Sequence, residues 1–184
     1  GGQCSAMGAG LSGQSTIAQL KEKLAALPPG HDARERAAVL CELAAAYARA
    51  GLPHQGLDAV KETLKLAQSQ PMPQEQAEAM YAASMCHYFR ADYLMSIASG
   101  LDAYQGFSRD RNFVRMGHTL ATIAAACKEI KAQDLAIEAL NGCLNIAERT
   151  GDIFLEAILF HPKSTLLSFY SQQYARSEEH TSEL

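Results

Sequence analysis

Apolar residues recur along this chain at the three- and four-residue spacing of amphipathic helices, and the pattern then repeats forty residues later. The stretch Ala77 to Phe107 reads as two such helices joined by a polar turn at Arg90-Ala91-Asp92. Shifted by forty residues, the turn falls at Gly51, Ala91 and Lys131, with a small residue five positions on at Gly56, Ser96 and Ala136. An aliphatic follows each time, at Leu57, Ile97 and Ile137. In the preceding helix the ladder is Leu40, Met80 and Leu120, then Leu43, Ala83 and Ile123, then a small residue at Ala44, Ser84 or Ala124. Small side chains at matching points let neighbouring backbones approach, where larger ones would overpack the crossing by roughly 1–3 kcal/mol. The pattern predicts stacked helical hairpins, seven or eight helices and no strands.

In chain order, residues 1–14 read as a flexible lead-in and 15–175 as one repeat domain. Its first piece, 15–30, carries Ile17, Leu20, Leu24 and Leu27 forty residues before Leu57, Val60, Leu64 and Ala67, so it reads as a second helix without its first. Pro28-Pro29-Gly30 stops it. Full repeats are expected at 33–72, 73–112 and 113–152, with Asp32 as an N-cap and Pro71-Met72-Pro73 as a separator. A partial repeat, 153–175, starts in register with Ala157 but meets Pro162 where its first helix should continue. An interior proline costs about 3 kcal/mol.

Composition narrows the class of protein. Of 184 residues, 48% are hydrophobic and 20% charged, an ordinary globular balance without a membrane-length apolar run. The first residues lack a basic n-region and an apolar h-region, unlike a signal peptide. Five scattered cysteines give neither a disulfide framework nor a C-x-x-C pair, and a reducing, cytoplasmic setting is expected. The formal net charge is −4, with no basic stripe, which disfavours nucleic acid as a partner.

The last nine residues, Arg176 to Leu184, resemble the in-frame translation of a sequencing-adapter oligonucleotide, and 176–184 are expected to be foreign to the chain. Without them the formal charge is −2.

The repeated positions resemble the tetratricopeptide repeat. Leu40, Leu43-Ala44, Tyr47, Gly56, Val60 and Thr63 fill its slots in the first full copy. Met80, Ala83-Ser84, His87, Ser96, Gly100 and Ala103 fill them in the second, and Leu120, Ile123-Ala124, Cys127, Ala136, Leu140 and Cys143 in the third. The period exceeds the usual repeat of about 34 residues, so the chain is similar to the longer-helix variant of kinesin light chains and bacterial regulators. The resemblance implies an all-α, right-handed superhelical solenoid that binds a protein or peptide in its concave groove. The run CHYFRADYLMSIASGLDAY, with TLATIAAACKEIKAQDLAIEAL after it, further resembles the repeat region preceding the catalytic domain in some bacterial GGDEF-type diguanylate cyclases. That implies the regulatory or sensory module of a truncated bacterial signalling protein, without catalytic residues of its own. The alternative is a peptide- or protein-binding adaptor, free-standing or attached to a transcription factor.

No catalytic, cofactor or metal constellation emerges from the residues. Cys86-His87 and Cys127 read as core occupants, because sequence neighbours on a helix point about 100° apart and His87 and Cys127 share the register slot of Tyr47. The groove face of the first helices is expected at Ala38, Cys41, Ala45 and Ala48, then Glu78, Tyr81, Met85 and Tyr88 with Phe89, then His118, Ala121, Ala125 and Lys128. Aromatic and Met side chains are enriched in binding hot spots. Tyr81, Met85, Tyr88, Phe89, His118 and Lys128 are therefore the candidate partner-binding residues, with Tyr88 or Phe89 alternatively packing on the neighbouring second helix. Uncapped ends should expose Ile17, Leu20 and Leu24 on one side and Leu166, Leu167, Phe169 and Tyr170 on the other, favouring self-association.

Overall fold

A computed structural model describes residues 5–30 and 32–151, with side chains from Ser15 onward. Its described residues form seven α-helices and no strand: α1 (Ser5–Ala26), α2 (Ala33–Arg49), α3 (Pro53–Ser69), α4 (Pro73–Phe89), α5 (Tyr93–Arg109), α6 (Phe113–Glu129) and α7 (Gln133–Thr150). The fold is all-α. From α2 onward a helix begins every twenty residues, at Ala33, Pro53, Pro73, Tyr93, Phe113 and Gln133. No helix among the described residues is long and apolar enough to cross a membrane. Helix α1 starts at Ser5, inside the stretch 1–14. Residues 153–175, with Pro162, and 176–184 lie outside the described residues.

The cadence is set by the turns. At the end of α2 the Gly51 N–H donates to the Ala48 carbonyl at 3.1 Å and the Leu52 N–H to the Tyr47 carbonyl at 2.9 Å. This is a Schellman motif, and it needs a left-handed residue at its centre. The same pair of bonds closes α4 through Ala91 and Asp92, α5 through Arg111 and Asn112, and α6 through Lys131 and Ala132. The central residues have φ of 74° at Gly51, 61° at Ala91, 52° at Arg111 and 61° at Lys131. In each case the second residue, Leu52, Asp92, Asn112 or Ala132, is also the N-cap of the next helix and accepts its first backbone bond. One residue thus ends a helix with its N–H and starts another with its carbonyl. The α3–α4 connection differs, because Pro71 at the corresponding position cannot adopt positive φ. There Gln70 is extended, and Met72, wholly buried against Ala37 and Ala67, caps α4 instead.

Packing follows the same order. Every helix pair in contact is adjacent or next-but-one in the chain, and the next-but-one contacts join α2 to α4 and α4 to α6. Helices α3, α5 and α7 do not touch one another. Each hairpin crosses at a pair of small residues twelve apart. A Cβ on Gly56 would lie 3.1 Å from the Ala44 carbonyl and 2.5 Å from the Cys86 Sγ of the next hairpin. In the middle hairpin Ser84 and Ser96, both fully buried, each donate to the other's carbonyl, at 2.7 and 2.8 Å. Ala124 and Ala136 share a core cluster with Ile123 and Leu140 in the last. The expected exposed strip at the amino-terminal end is not exposed: Ile17 is buried on Leu43, Ala46 and Tyr47, with Leu20 and Leu24 packed beside it. Helix α1 covers α2 as a second helix covers the following first helix, and that contact removes the strip from water.

A side chain in the left-handed region costs on the order of 1 kcal/mol that glycine does not incur. Ala91→Gly and Lys131→Gly should therefore each raise the urea-unfolding free energy by up to about 1 kcal/mol, and Gly51→Ala should lower it by a similar amount. Loss of stability in both glycine variants would mean the turns are not left-handed.

Candidate functional site

On the first-helix side α2 contacts α4 and α4 contacts α6, while α3, α5 and α7 do not contact one another. A groove of about 730 Å³ lies on that side. Its floor carries the small residues Ala38, Cys41 and Ala45 of α2. Thr16 and Leu20 of α1 form one bank. Glu75 and Glu78 of α4 stand opposite, with Arg115 of α6 and the α5–α6 turn residues Asp110 and Asn112 beyond them.

The charged side chains are partly tied down. Arg115 Nε donates to Glu78 Oε1 at 2.9 Å while its guanidinium lies 5.4 Å from the centre of the Tyr81 ring. Burial pushes the Glu78 carboxyl above its usual range, and Arg115 opposes that shift by charge and hydrogen bond. Glu75 is held more loosely by Arg34, at 3.8 Å. Arg34 also donates through Nη2 to the Pro71 carbonyl at 3.2 Å, which anchors it beside the α3–α4 connection. Glu42, exposed at the groove, makes no hydrogen bond or ion pair among the described residues.

The four described thiols are not poised for chemistry. Burial pushes Cys41 up to about 12, helped by the charges of Glu78, Glu75 and Glu42 and opposed by a hydrogen bond to Thr63. Burial alone pushes Cys86 and Cys143 up to about 11 and raises Cys127. Thiolate is the nucleophilic and metal-binding form, so such groups are inert near neutral pH. Cys41 Sγ donates to the Glu75 carbonyl at 3.3 Å and Cys143 Sγ to the Gly117 carbonyl at 3.2 Å, both acting as small core residues. Among the described residues no three His, Cys, Asp or Glu side chains converge as a metal site would need.

The six candidate residues do not form one patch. Tyr81 is only 7% exposed, clustered with Ala77, Ala103, Phe107 and Met116 and edge-to-face with Phe107 at 6.4 Å. Met85 packs on the same cluster. The expected accessible apolar surface is therefore corrected at Tyr81, which is core because Phe107 of α5 and Met116 of α6 pack over it, while Met85 is half-buried against the same cluster. Tyr88 and Phe89 sit at the α4–α5 turn, where Tyr88 stacks edge-to-face on Phe89 and on Tyr93, each at 5.7 Å. Tyr88 thus packs on the neighbouring second helix, and Phe89 is left 55% exposed. His118 is half-buried and Lys128 exposed on α6, and neither lines the groove.

What the groove does contain was partly visible: Ala38, Cys41, Ala45 and Glu78 were on the expected face. Glu75 and Arg115, forty residues apart, occupy the same stripe one turn earlier, a position the register could have supplied. Phe107 reaches the groove from a second helix and carried no such signal.

No family model, curated protein or solved structure matches the chain. The groove is open, has a floor of small residues and is lined by side chains of both charges.

Two outcomes follow. Tyr81→Ala should cost about 3 kcal/mol of stability, as large-to-small core changes do, while Phe89→Ser stays within about 0.5 kcal/mol; equal, small effects in urea unfolding would contradict the burial of Tyr81. The second concerns His87, whose Nδ1 is buried without a hydrogen bond, 4.0 Å from Asp92 Oδ2. Burial holds its pKa below the ordinary 6.5, outweighing Asp92. The unfolded chain then binds the proton more readily, so this group's contribution is intact above 6.5 and lost as pH falls through the lower folded value. His87→Tyr, which installs the residue of the equivalent Tyr47 slot, should flatten the fall in stability between neutral and mildly acidic pH. An unchanged pH profile would show that His87 is solvated.

Proposed function

We propose that the chain is a tetratricopeptide-like repeat scaffold, a right-handed superhelical solenoid whose first-helix groove binds a protein or peptide. The observation that supports this most is the contact order: helices begin every twenty residues from α2, and α2, α4 and α6 touch while α3, α5 and α7 do not. Unequal approach of that kind curves an array and opens one continuous binding face. The raised thiols and the paired arginine argue for recognition, not turnover. From the resemblance of its middle and third copies to the repeat region of GGDEF-type diguanylate cyclases, we place the scaffold in a bacterial signalling protein, where it transmits partner occupancy.

Peptides selected from a random displayed library against the protein should lose at least about tenfold in affinity when the groove is filled by Ala38→Trp or Gln74→Trp. Leu101→Ser, on an exposed face of α5 away from the groove, should leave them unaffected. Selected peptides that bind the tryptophan variants as tightly as the parent would place the binding face elsewhere.

A further inference from the structure

Six charged side chains border the groove, and they do not balance: Glu42, Glu75, Glu78 and Asp110 face Arg49 and Arg115. Arg115 is committed to Glu78 and to the Tyr81 ring. It is thus poorly placed to receive a carboxylate from outside. The nearest help for Glu75 is Arg34 at 3.8 Å, too long for a hydrogen bond. Glu42 projects into the groove with no partner among the described residues.

Glu42, Glu75 and Glu78 line the same groove as Cys41, and the charge of each is felt at that thiol. On either side of Cys41 the floor is alanine, at Ala38 and Ala45, which leaves depth for a long side chain. Glu78 is half-buried and its charge is incompletely compensated, so a second cation brought beside it would restore solvation that the fold has removed.

We propose that the groove takes an extended peptide bearing a lysine or arginine, whose cation is received between Glu42 and Glu78 above Cys41. The proposal rests on the groove being the binding face and specifies the chemistry of its occupant. An acidic peptide or a nucleic acid would meet the wrong sign of charge. The aliphatic stem of the basic side chain would lie along Ala38 and Ala45 while its head group reaches the carboxylates, the arrangement long cationic side chains favour.

The test uses the whole chain and a fluorescein-labelled octapeptide of alternating alanine and lysine, with its alanine–glutamate counterpart, followed by fluorescence anisotropy. The lysine peptide should bind at least about tenfold more tightly than the glutamate peptide, and Glu42→Lys should weaken it about tenfold with helicity unchanged. Because the chain is acidic overall, Asp102→Lys is the control: it makes the same charge change on an exposed part of α5 outside the groove and should alter affinity by less than roughly twofold. Equal weakening by Glu42→Lys and Asp102→Lys would mean bulk attraction, and equal affinity for the two peptides would mean no charge preference; either overturns the proposal. If in those cases Ala38→Trp still abolishes binding of library-selected peptides, the groove stands and only its preference for a cation falls. If Ala38→Trp leaves those peptides bound, the groove itself is the wrong face.

Discussion

Everything in this architecture depends on a backbone bond that one residue makes in each direction at a turn. Leu52, Asp92, Asn112 and Ala132 each close the preceding helix through their N–H, at 2.9 Å, and open the next through their carbonyl. These bonds tie the end of one helix directly to the start of the next, so each such turn is set by local backbone geometry. This also explains why glycine is not required at every turn. Arg111 and Lys131 tolerate the left-handed region because two backbone bonds over-determine it. The α3–α4 connection, which lacks this device at Pro71, is held by side chains instead: Met72 is buried in the crossing and Arg34 grips the Pro71 carbonyl.

Once the turns fix the hairpins, small residues decide how close they lie. Ala44 with Gly56, Ser84 with Ser96 and Ala124 with Ala136 are three chemical solutions to one crossing, and each fits its surroundings. Gly56 leaves space that the Cys86 sulfur of the next hairpin fills, so the first crossing is locked by its neighbour. The middle one is locked from within by reciprocal serine bonds. Close approach of α2, α4 and α6 then produces the groove as a by-product of packing, and its small-residue floor is the visible side of the same economy of volume.

The fold was legible because hairpin repeats encode themselves locally. Gly51, Ala91 and Lys131 lie in register, and the turns were found there with α2 beginning at Ala33 and α6 at Phe113. The finer twenty-residue cadence was hidden, since Arg111 and Pro71 share a position while having opposite backbone requirements. The site was harder to read because burial on a repeat surface depends on the next repeat. Tyr81 lies on the stripe that faces outward in a single hairpin, yet Phe107 and Arg115, both distant in sequence, enclose it. Likewise Ile17 seemed stranded at an open end until its cover by Leu43 and Tyr47 was seen. Patterns within a helix report which face is apolar; they do not report what arrives to cover it.

The central claim is that this is a one-dimensional array in which each forty-residue hairpin meets only its neighbours. It is tested most directly by excising residues 73–112 in register, so that Met72 leads into Phe113, and following the product by circular dichroism and urea unfolding. An array of interchangeable hairpins should remain helical and unfold cooperatively, with lower stability and a smaller urea dependence because less surface is exposed. A shortened chain that has lost its helical signal and its cooperative transition would show that the middle hairpin belongs to a single indivisible core, and would contradict the account.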